Sequence, residues 1–356
     1  MITSVRIKNY KQFKDLRLDN LKRINLIAGK NNIGKTSVLE CLFMFYDRMS
    51  PQMTIKQFNW RGMNSVALNS QSLWQPIFHN FDTSYKIEIE VKHDNLDSNC
   101  HSAVYEHLPS YIPDQLTSTA IDPTAQGMTS TSNSEALHVK YKNKHENTGD
   151  VFLHINNGQL SLTTQKLKPI TTRASFIFSN VRLAAQDDAL KLGELLVNEG
   201  IADLIEYLKI MEPKLLNLQI IPSPSQNMIY CDVGYKKPVP ISLMGEGTTK
   251  LLSILLNISH CKNGIVLLDE LENGIHYSTF PIIWKVISKM AKAYNVQLFI
   301  TTHNYDFLHG LNDIYTDEMS DDFTFIRLDS NDGKIIPKHY DGEMFNAALD
   351  RDWEIR

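Results

Sequence analysis

The chain has 356 residues, 42% of them hydrophobic and 21% charged, which is ordinary globular composition. That length holds one large domain or two ordinary ones, with enough apolar material for a sizeable core. A formal net charge of −4, from 36 basic and 40 acidic residues, excludes a global attraction to nucleic acid or anionic membrane and leaves only a local basic groove for such partners.

The N-terminus, MITSVRIKNYKQFKDL, is charged and alternating, unlike a signal peptide. Its first thirty residues read as three short strands over 2–8, 13–18 and 23–28, with Asp19-Asn20 as a turn signal. GKNNIGKT, 29–36, follows, and then SVLECLFMFYDRM, whose Val38, Leu39, Leu42, Phe43 and Tyr46 fit one helical face. Strand, glycine loop and helix form the opening unit of an α/β fold. Residues 84–168 change texture: YKIEIEVKH, ALHVKYKN and VFLHINNGQLSLTTQ alternate with period two, as half-exposed antiparallel strands do. The stretch 115–136 between them is rich in Ser, Thr and Pro and reads as a mobile loop.

From 184 to 210 leucines and isoleucines recur at spacings of three and four, which predicts a compact helical subdomain, far too short for a coiled-coil arm. After Pro240 the α/β pattern returns. GEGTTKLLSILLNIS is helical, GIVLLDE a buried strand, TFPIIWKVISKMAKAY an amphipathic helix and VQLFITTH another buried strand. Continuous apolar strands alternating with helices imply a mainly parallel sheet covered on both faces. FTFIRLD and KIIPKHY suggest a hairpin closing on Asp332-Gly333. No apolar run approaches the roughly 20 residues that span a bilayer. The four cysteines form no CxxC pair, so the chain reads as soluble and cytoplasmic, without a zinc site or disulfide framework.

GKNNIGKT matches G-x-x-x-x-G-K-[ST] between a predicted strand and a predicted helix, the setting of a phosphate-binding loop. Gly29 and Gly34 let the backbone, with that of Asn31 and Asn32, turn its N–H groups toward phosphate oxygens, and the helix from Lys35 through Ser37 presents its positive end. Lys35 would neutralise the β- and γ-phosphates of ATP, and the Thr36 hydroxyl would ligate Mg²⁺. The strand IVLL ends in Asp269, suited to the Mg²⁺ shell, and Glu270, suited to polarise the attacking water. His303 closes the next apolar strand, 33 residues beyond Glu270, at the same expected sheet edge.

Together GKNNIGKTS, SLMGEGTTKLL, IVLLDELENGIHYS and ITTHN resemble the ABC-type ATPase heads of the SMC, Rad50 and RecF class. They are most similar to bacterial ATPases related to the OLD (overcoming lysogenization defect) proteins and to anti-phage defence ATPases. RIKNYKQFKDL, WRGM and the terminal WEIR share that character. The resemblance implies an α/β ABC-ATPase head, a mainly parallel sheet with an antiparallel β subdomain and a small helical subdomain. Its divisions would be an N-terminal lobe at 1–83, antiparallel strands at 84–168, a helical subdomain at 169–230 and a C-terminal lobe at 231–356.

The resemblance also implies roles. MGEGTTKLL would be the signature segment, offering Gly245, Gly247 and the helix from Thr248 to the γ-phosphate of a partner copy, although it departs from the usual LSGGQ wording. His303 would be the switch histidine. Lys11, where the class often has arginine, would contact nucleotide, and Gln186 is the candidate for the glutamine loop. Glu272, Asn273 and His276 are expected to carry communication across the dimer rather than to bind metal. Only 53 residues follow His303, too few for a TOPRIM domain of roughly 100, so DEMSDD at 317–322 reads as a solvated loop.

The implied function is an ATP-driven switch, a homodimer or higher oligomer sandwiching ATP, acting as sensor or regulator in an anti-phage defence system. It would work with a separate effector such as a nuclease or TOPRIM-like protein, with no membrane involved. The alternative is a RecF-like ATPase of recombination or repair that binds DNA through basic residues in 136–173. A transporter subunit is disfavoured, since no membrane-coupling segment is evident.

Overall fold

Period-two alternation in the N-terminal half produces one antiparallel sheet that reaches further along the chain than expected. The computed structural model describes residues 1–48, 69–94, 100–111, 118–120, 134–143, 147–156, 159–168, 170–179, 185–198, 200–222, 227–312 and 321–350. In chain order it opens with β1 (Ile2–Tyr10), β2 (Phe13–Leu18), β3 (Ile24–Gly29) and α1 (Lys35–Tyr46). Then come β4 (Ile87–His93), β5 (Cys100–Tyr111), β6 (Ser118–Ala120), β7 (Ser134–Asn143), β8 (Asn147–Asn156) and β9 (Gln159–Gln165).

Two compact units are present. The first comprises Met1–Lys22, Lys30–Thr171 and Leu328–Lys338. Its eight-stranded sheet has the order β2-β1-β4-β5-β7-β8-β9-β6, antiparallel throughout. The strands within 84–168 are therefore one sheet with β1 and β2, which the sequence reading had assigned to the neighbouring lobe. The β1–β2 register, with Ile7 opposite Leu16 and Tyr10 opposite Phe13, buries all four of these side chains. On the other face Arg6 grips Asp15 through two hydrogen bonds of 2.9 and 2.7 Å. The guanidinium holds the Asp15 carboxyl below its ordinary range.

Helix α1 was expected to bury one face, yet ten of its twelve residues are buried. Leu39 and Leu42 are joined there by the polar Glu40. The Tyr105 hydroxyl of β5 donates to the Met44 carbonyl at 2.9 Å, and Arg48 lies 4.5 Å from the Tyr141 ring of β7. The loop expected over 115–136 contains β6, paired with β9, and the first residues of β7. Its remaining residues lie outside those described, as do WRGM, WEIR and 317–320 of the acidic run.

The second unit comprises Arg23–Gly29, Thr172–Arg327 and His339–Arg356. Its elements continue with β10 (Ala174–Ile177), α2 (Ala185–Val197), α3 (Ile201–Lys209), β11 (Asn217–Pro222), β12 (Asn227–Asp232), β13 (Val239–Pro240) and α4 (Glu246–His260). The chain then forms β14 (Ile265–Leu268), α5 (Phe280–Ala293), β15 (Gln297–Thr301), α6 (Tyr305–Asn312), β16 (Phe323–Asn331), β17 (Lys334–Tyr340) and α7 (Gly342–Asp350). The main sheet runs β10-β14-β15-β3-β16-β17, and its first four strands are parallel. Every residue of β3, β14 and β15 is buried, the polar Asn25, Gln297 and Thr301 among them, as mainly apolar strands covered on both faces require.

The region 169–230, expected to be helical, contains more than helices. β10 belongs to the parallel sheet, and β11 and β12 form a separate antiparallel sheet with β13. The core holds α4, α5 and α6 together, with Trp284 stacked on Phe307 at 4.5 Å and its Nε1 donating to the Phe307 carbonyl at 2.9 Å. The β16–β17 turn has positive φ at both Asp332 (48°) and Gly333 (74°), the two-residue geometry that Asp-Gly favours. No helix among the described residues is long and apolar enough to cross a membrane.

Candidate active site

Parallel pairing of β14, β15 and β3 brings their C-terminal ends to one edge of the sheet, where open α/β sheets bind ligands. Each of these ends runs into a motif. Gly29, the last residue of β3, opens the glycine loop; Asp269 and Glu270 follow β14; Thr302 and His303 follow β15.

Within the first unit the loop leads directly into α1. Asn32 has φ 62° and Gly34 has φ 105°, left-handed values that bend the loop tightly. Gly34 is the N-cap of α1 and makes no side-chain cap bond, and the positive end of the helix suits an anion. A Cβ at Gly34 would lie 1.8 Å from Gln12 Nε2 and 2.6 Å from Phe13 Cζ, so only glycine fits there. The Lys35 ammonium curls back to the Lys30 carbonyl at 3.1 Å. Asn31 and Asn32 are exposed, Thr36 is half-buried and Ser37 buried. Lys11 sits in the β1–β2 turn with φ 46°. Its ammonium meets the buried Glu40 carboxylate of α1 at 2.5 Å, and the Tyr10 hydroxyl donates to the same oxygen at 3.2 Å. His79 Nδ1 donates to the Lys11 carbonyl at 2.7 Å.

Within the second unit one hydroxyl organises the acidic pair. Thr301 Oγ1 donates to Asp269 Oδ1 at 2.7 Å and accepts the Glu270 N–H at 2.9 Å. Ser179 Oγ approaches Asp269 Oδ2 at 3.4 Å. Glu270 has φ 44°, an uncommon conformation outside glycine. Its Oε2 accepts from Asn273 Nδ2 at 2.7 Å, and its Oε1 lies 3.2 Å from His303 Nδ1. Glu272 is buried beneath: its Oε1 accepts from Thr302 Oγ1 at 2.7 Å and from the His303 N–H at 3.2 Å. Burial pushes the Glu272 carboxyl above its ordinary value. His276 shapes the following turn, its Nδ1 2.8 Å from Ser278 Oγ. Among the described residues no group of three His, Cys, Asp or Glu side chains forms a metal-ligand set.

Each unit carries a hard oxygen of the kind Mg²⁺ takes, the Thr36 hydroxyl in the first and the Asp269 carboxylate in the second. The helix within MGEGTTKLL begins earlier than expected: α4 starts at Glu246, with Gly245 as its N-cap at φ 108°, not at Thr248. Nothing lies within 4 Å of where a Gly245 Cβ would be, so that helix end is open. Gly247 follows in the first helical turn. Gln186 is exposed in the first turn of α2.

Sequence reasoning brought together Asp269, Glu270 and His303 but missed Thr301 and Thr302. The signal was present in FITTH, where two adjacent hydroxyls end an otherwise apolar strand. Asn273, assigned to communication between copies, holds the Glu270 carboxylate.

A family model described as "AAA ATPase domain" matches residues 1–192. Another, described as "AAA domain, putative AbiEii toxin, Type IV TA system", matches residues 131–308. A Helicobacter pylori protein named ATP/GTP phosphatase is 27% identical over 370 residues, spanning 96% of this chain and 96% of that protein. An uncharacterized protein of Methanocaldococcus jannaschii is 35% identical over 102 residues, 27% of this chain and 43% of that protein. Among solved structures, an SMC head bound to the C-terminal winged-helix domain of ScpA is similar with TM-score 0.51 at 11% identity, over 96% of this chain and 98% of that one. At such identity the likeness is one of fold, that of an ABC-type ATPase head.

Proposed function

Because the chain belongs to the AAA ATPase domain family, and is an ATPase with the fold of an ABC-type head, we propose that it is a switch in which ATP binding joins two copies and hydrolysis parts them. The observation that carries this reading is the Thr301 hydroxyl, which fixes Asp269 and the Glu270 backbone at the sheet edge where the glycine loop begins.

In this reading the backbone of Gly29, Asn31, Asn32 and Gly34, with Thr36 and Ser37 at the helix start, cradles the phosphates. Lys35 leaves the Lys30 carbonyl to neutralise the β- and γ-phosphates. Thr36 and Asp269 would be the ligands of Mg²⁺, which would supply positive charge against the charge developing on the phosphate oxygens. Glu270 takes a proton as water attacks the γ-phosphorus and the bond to the β-phosphate oxygen breaks, giving ADP and phosphate. Asn273 holds the Glu270 carboxylate through Oε2, and His303, whose Nδ1 lies 3.2 Å from Oε1, reaches the γ-phosphate. Lys11 acts on nucleotide only after yielding Glu40. Gly245, Gly247 and the open end of α4 face the nucleotide of the second copy.

The wider role is a cytoplasmic sensor or regulator of bacterial anti-phage defence, coupled to a separate nuclease or TOPRIM-like effector. The match over 131–308 to a family described by a toxin–antitoxin system supports a place among bacterial conflict systems. The relative named ATP/GTP phosphatase supports nucleotide triphosphate as substrate.

Light scattering of the Glu270→Gln protein with magnesium and ATP tests the switch. A particle of twice the monomer mass that reverts when ATP is removed is expected; a monomer under saturating ATP overturns it. DNA binding that needs ATP and weakens steeply with salt would instead favour the RecF-like alternative.

A further inference from the structure

Helix α4 carries a second polar group whose position the ATPase reading leaves unexplained. Lys250 lies one turn beyond Gly247 and is only 9% exposed, although a buried ammonium is costly unless it is paired and hydrogen-bonded. Its Nζ donates to two backbone carbonyls, that of Asn273 at 2.6 Å and that of Glu270 at 3.3 Å. These carbonyls belong to the two ends of one tight turn, since the Asn273 N–H donates to the Glu270 carbonyl at 3.1 Å. The turn begins at Glu270 in its left-handed conformation, a state that costs a non-glycine residue about 1–2 kcal/mol and persists only where its surroundings hold it. Asn273 then returns its side chain to Glu270 Oε2. An ammonium bonded to both ends of the turn is such a restraint.

A second contact joins the same two elements. A Cβ on Gly274 (φ 76°) would lie 2.7 Å from Glu246 Oε1, so the first residue of α4 packs against the backbone just past the turn. Helix α4 is thus bonded to this turn at Lys250 and packed against it at Glu246. Burial lowers the affinity of Lys250 for its proton, while the carboxylates of Glu272, Glu246, Glu270 and Asp269 act in the opposite direction.

We propose that Lys250 is a positioning residue that clamps the Glu270–Asn273 turn to α4 and thereby aims the Glu270 carboxylate at the attacking water. This rests on the reading of Glu270 as general base. It gives that reading a regulatory consequence: the helix whose N-terminal end faces the second copy's nucleotide also holds the base of its own site. A shift of α4 on seating that nucleotide is transmitted to Glu270 through two hydrogen bonds, with no other part of the chain required to move.

The test compares the full chain with its Lys250→Met, Lys250→Arg and Lys250→Gln forms, measuring ATP turnover and, separately, affinity for a non-hydrolysable ATP analogue. Lys250→Met is expected to lower kcat on the order of 100-fold, the scale of an ångström misplacement of a catalytic group, with analogue affinity unchanged. Lys250→Arg, which still donates to carbonyls, should recover part of kcat. Lys250→Gln replaces the methionine form if that one does not fold, and is read in the same way. In a Glu270→Gln background the Lys250 substitution should add no further loss, because both act through one carboxylate.

A wild-type kcat in Lys250→Met, beside a slow Glu270→Gln, overturns the clamp and leaves the base in place. Loss of analogue affinity in proportion to kcat also overturns it, since Lys250 would then serve the nucleotide pocket at large. Wild-type turnover by Glu270→Gln removes the reading of the base and the clamp with it.

Discussion

Replacing Thr301 by valine separates hydrogen bonding from packing at the centre of the site. Valine has nearly the shape of threonine and leaves no cavity, but it lacks the hydroxyl that bridges Asp269 and Glu270. Thr301 is fully buried, so no water takes the vacated place without rearrangement. The bond to the Asp269 carboxylate is charge-assisted and worth about 1.5–3 kcal/mol, and leaving the Glu270 N–H unpaired costs about 1–3 kcal/mol more. Glu270 is only half-buried, which favours the lower end of the second range. A loss of about 3 kcal/mol is therefore expected, a large fraction of the stability of a typical domain. Thr301→Ser keeps the hydroxyl and loses one methyl, for about 1 kcal/mol. Urea denaturation followed by fluorescence, with Trp284 as a buried reporter in the same unit, measures the difference. ATP turnover should separate the pair in the same order, the serine form close to wild type and the valine form slow. Equal stability and equal turnover for the two variants would refute the bridging role.

Three further outcomes follow from local geometry. Gly34→Ala forces a side chain into a left-handed position beside Gln12 and Phe13; the backbone term alone should lower folding stability by about 1–2 kcal/mol, and an unchanged urea midpoint would contradict the loop geometry. Lys35→Ala should abolish ATP binding measured by calorimetry, and retained binding would remove Lys35 from the site. Asp188, buried on α2 and accepting from Ser253 at 3.0 Å, has its carboxyl raised by burial from 3.8 to about 6. The folded chain therefore holds this proton more tightly than the unfolded one, so the contribution of Asp188 is least favourable above pH 6 and improves as pH falls toward 4. The shift corresponds to about 3 kcal/mol. Asp188→Asn should gain stability relative to wild type at pH 7 compared with pH 4, and a difference independent of pH would contradict the assignment.

Several parts of this arrangement were legible in the sequence because a single physical cause dominates each. The mainly apolar runs of β3, β14 and β15 do not alternate, so a parallel sheet covered on both faces follows. Asp332-Gly333 closes its hairpin because those residues tolerate positive φ. Asp269, Glu270 and His303 follow strand ends, and parallel strands present those ends together.

Other features depend on partners that a sequence does not name. Alternation gives the faces of β1 and β2 but not their neighbour, which is β4. β10 is four residues, ASFI, too short for a period to register, and its parallel pairing with β14 fixes it instead. β11 and β12 are six residues each and join a small sheet of their own inside a stretch read as helical. Thr301 looks like any β-branched strand residue until the strand beside it delivers Asp269 to its hydroxyl. The left-handed turn at Glu270 is the least legible, because glutamate does not favour that conformation and the restraint comes from Lys250, 20 residues away in sequence.

The most direct measurement is phosphate release from ATP and magnesium by the full chain and by its Glu270→Gln form, with bound ATP quantified in both. The account predicts equal ATP affinity and a turnover at least about 100-fold slower in the glutamine form, the scale of a lost general base. Wild-type turnover by the Glu270→Gln protein would contradict it.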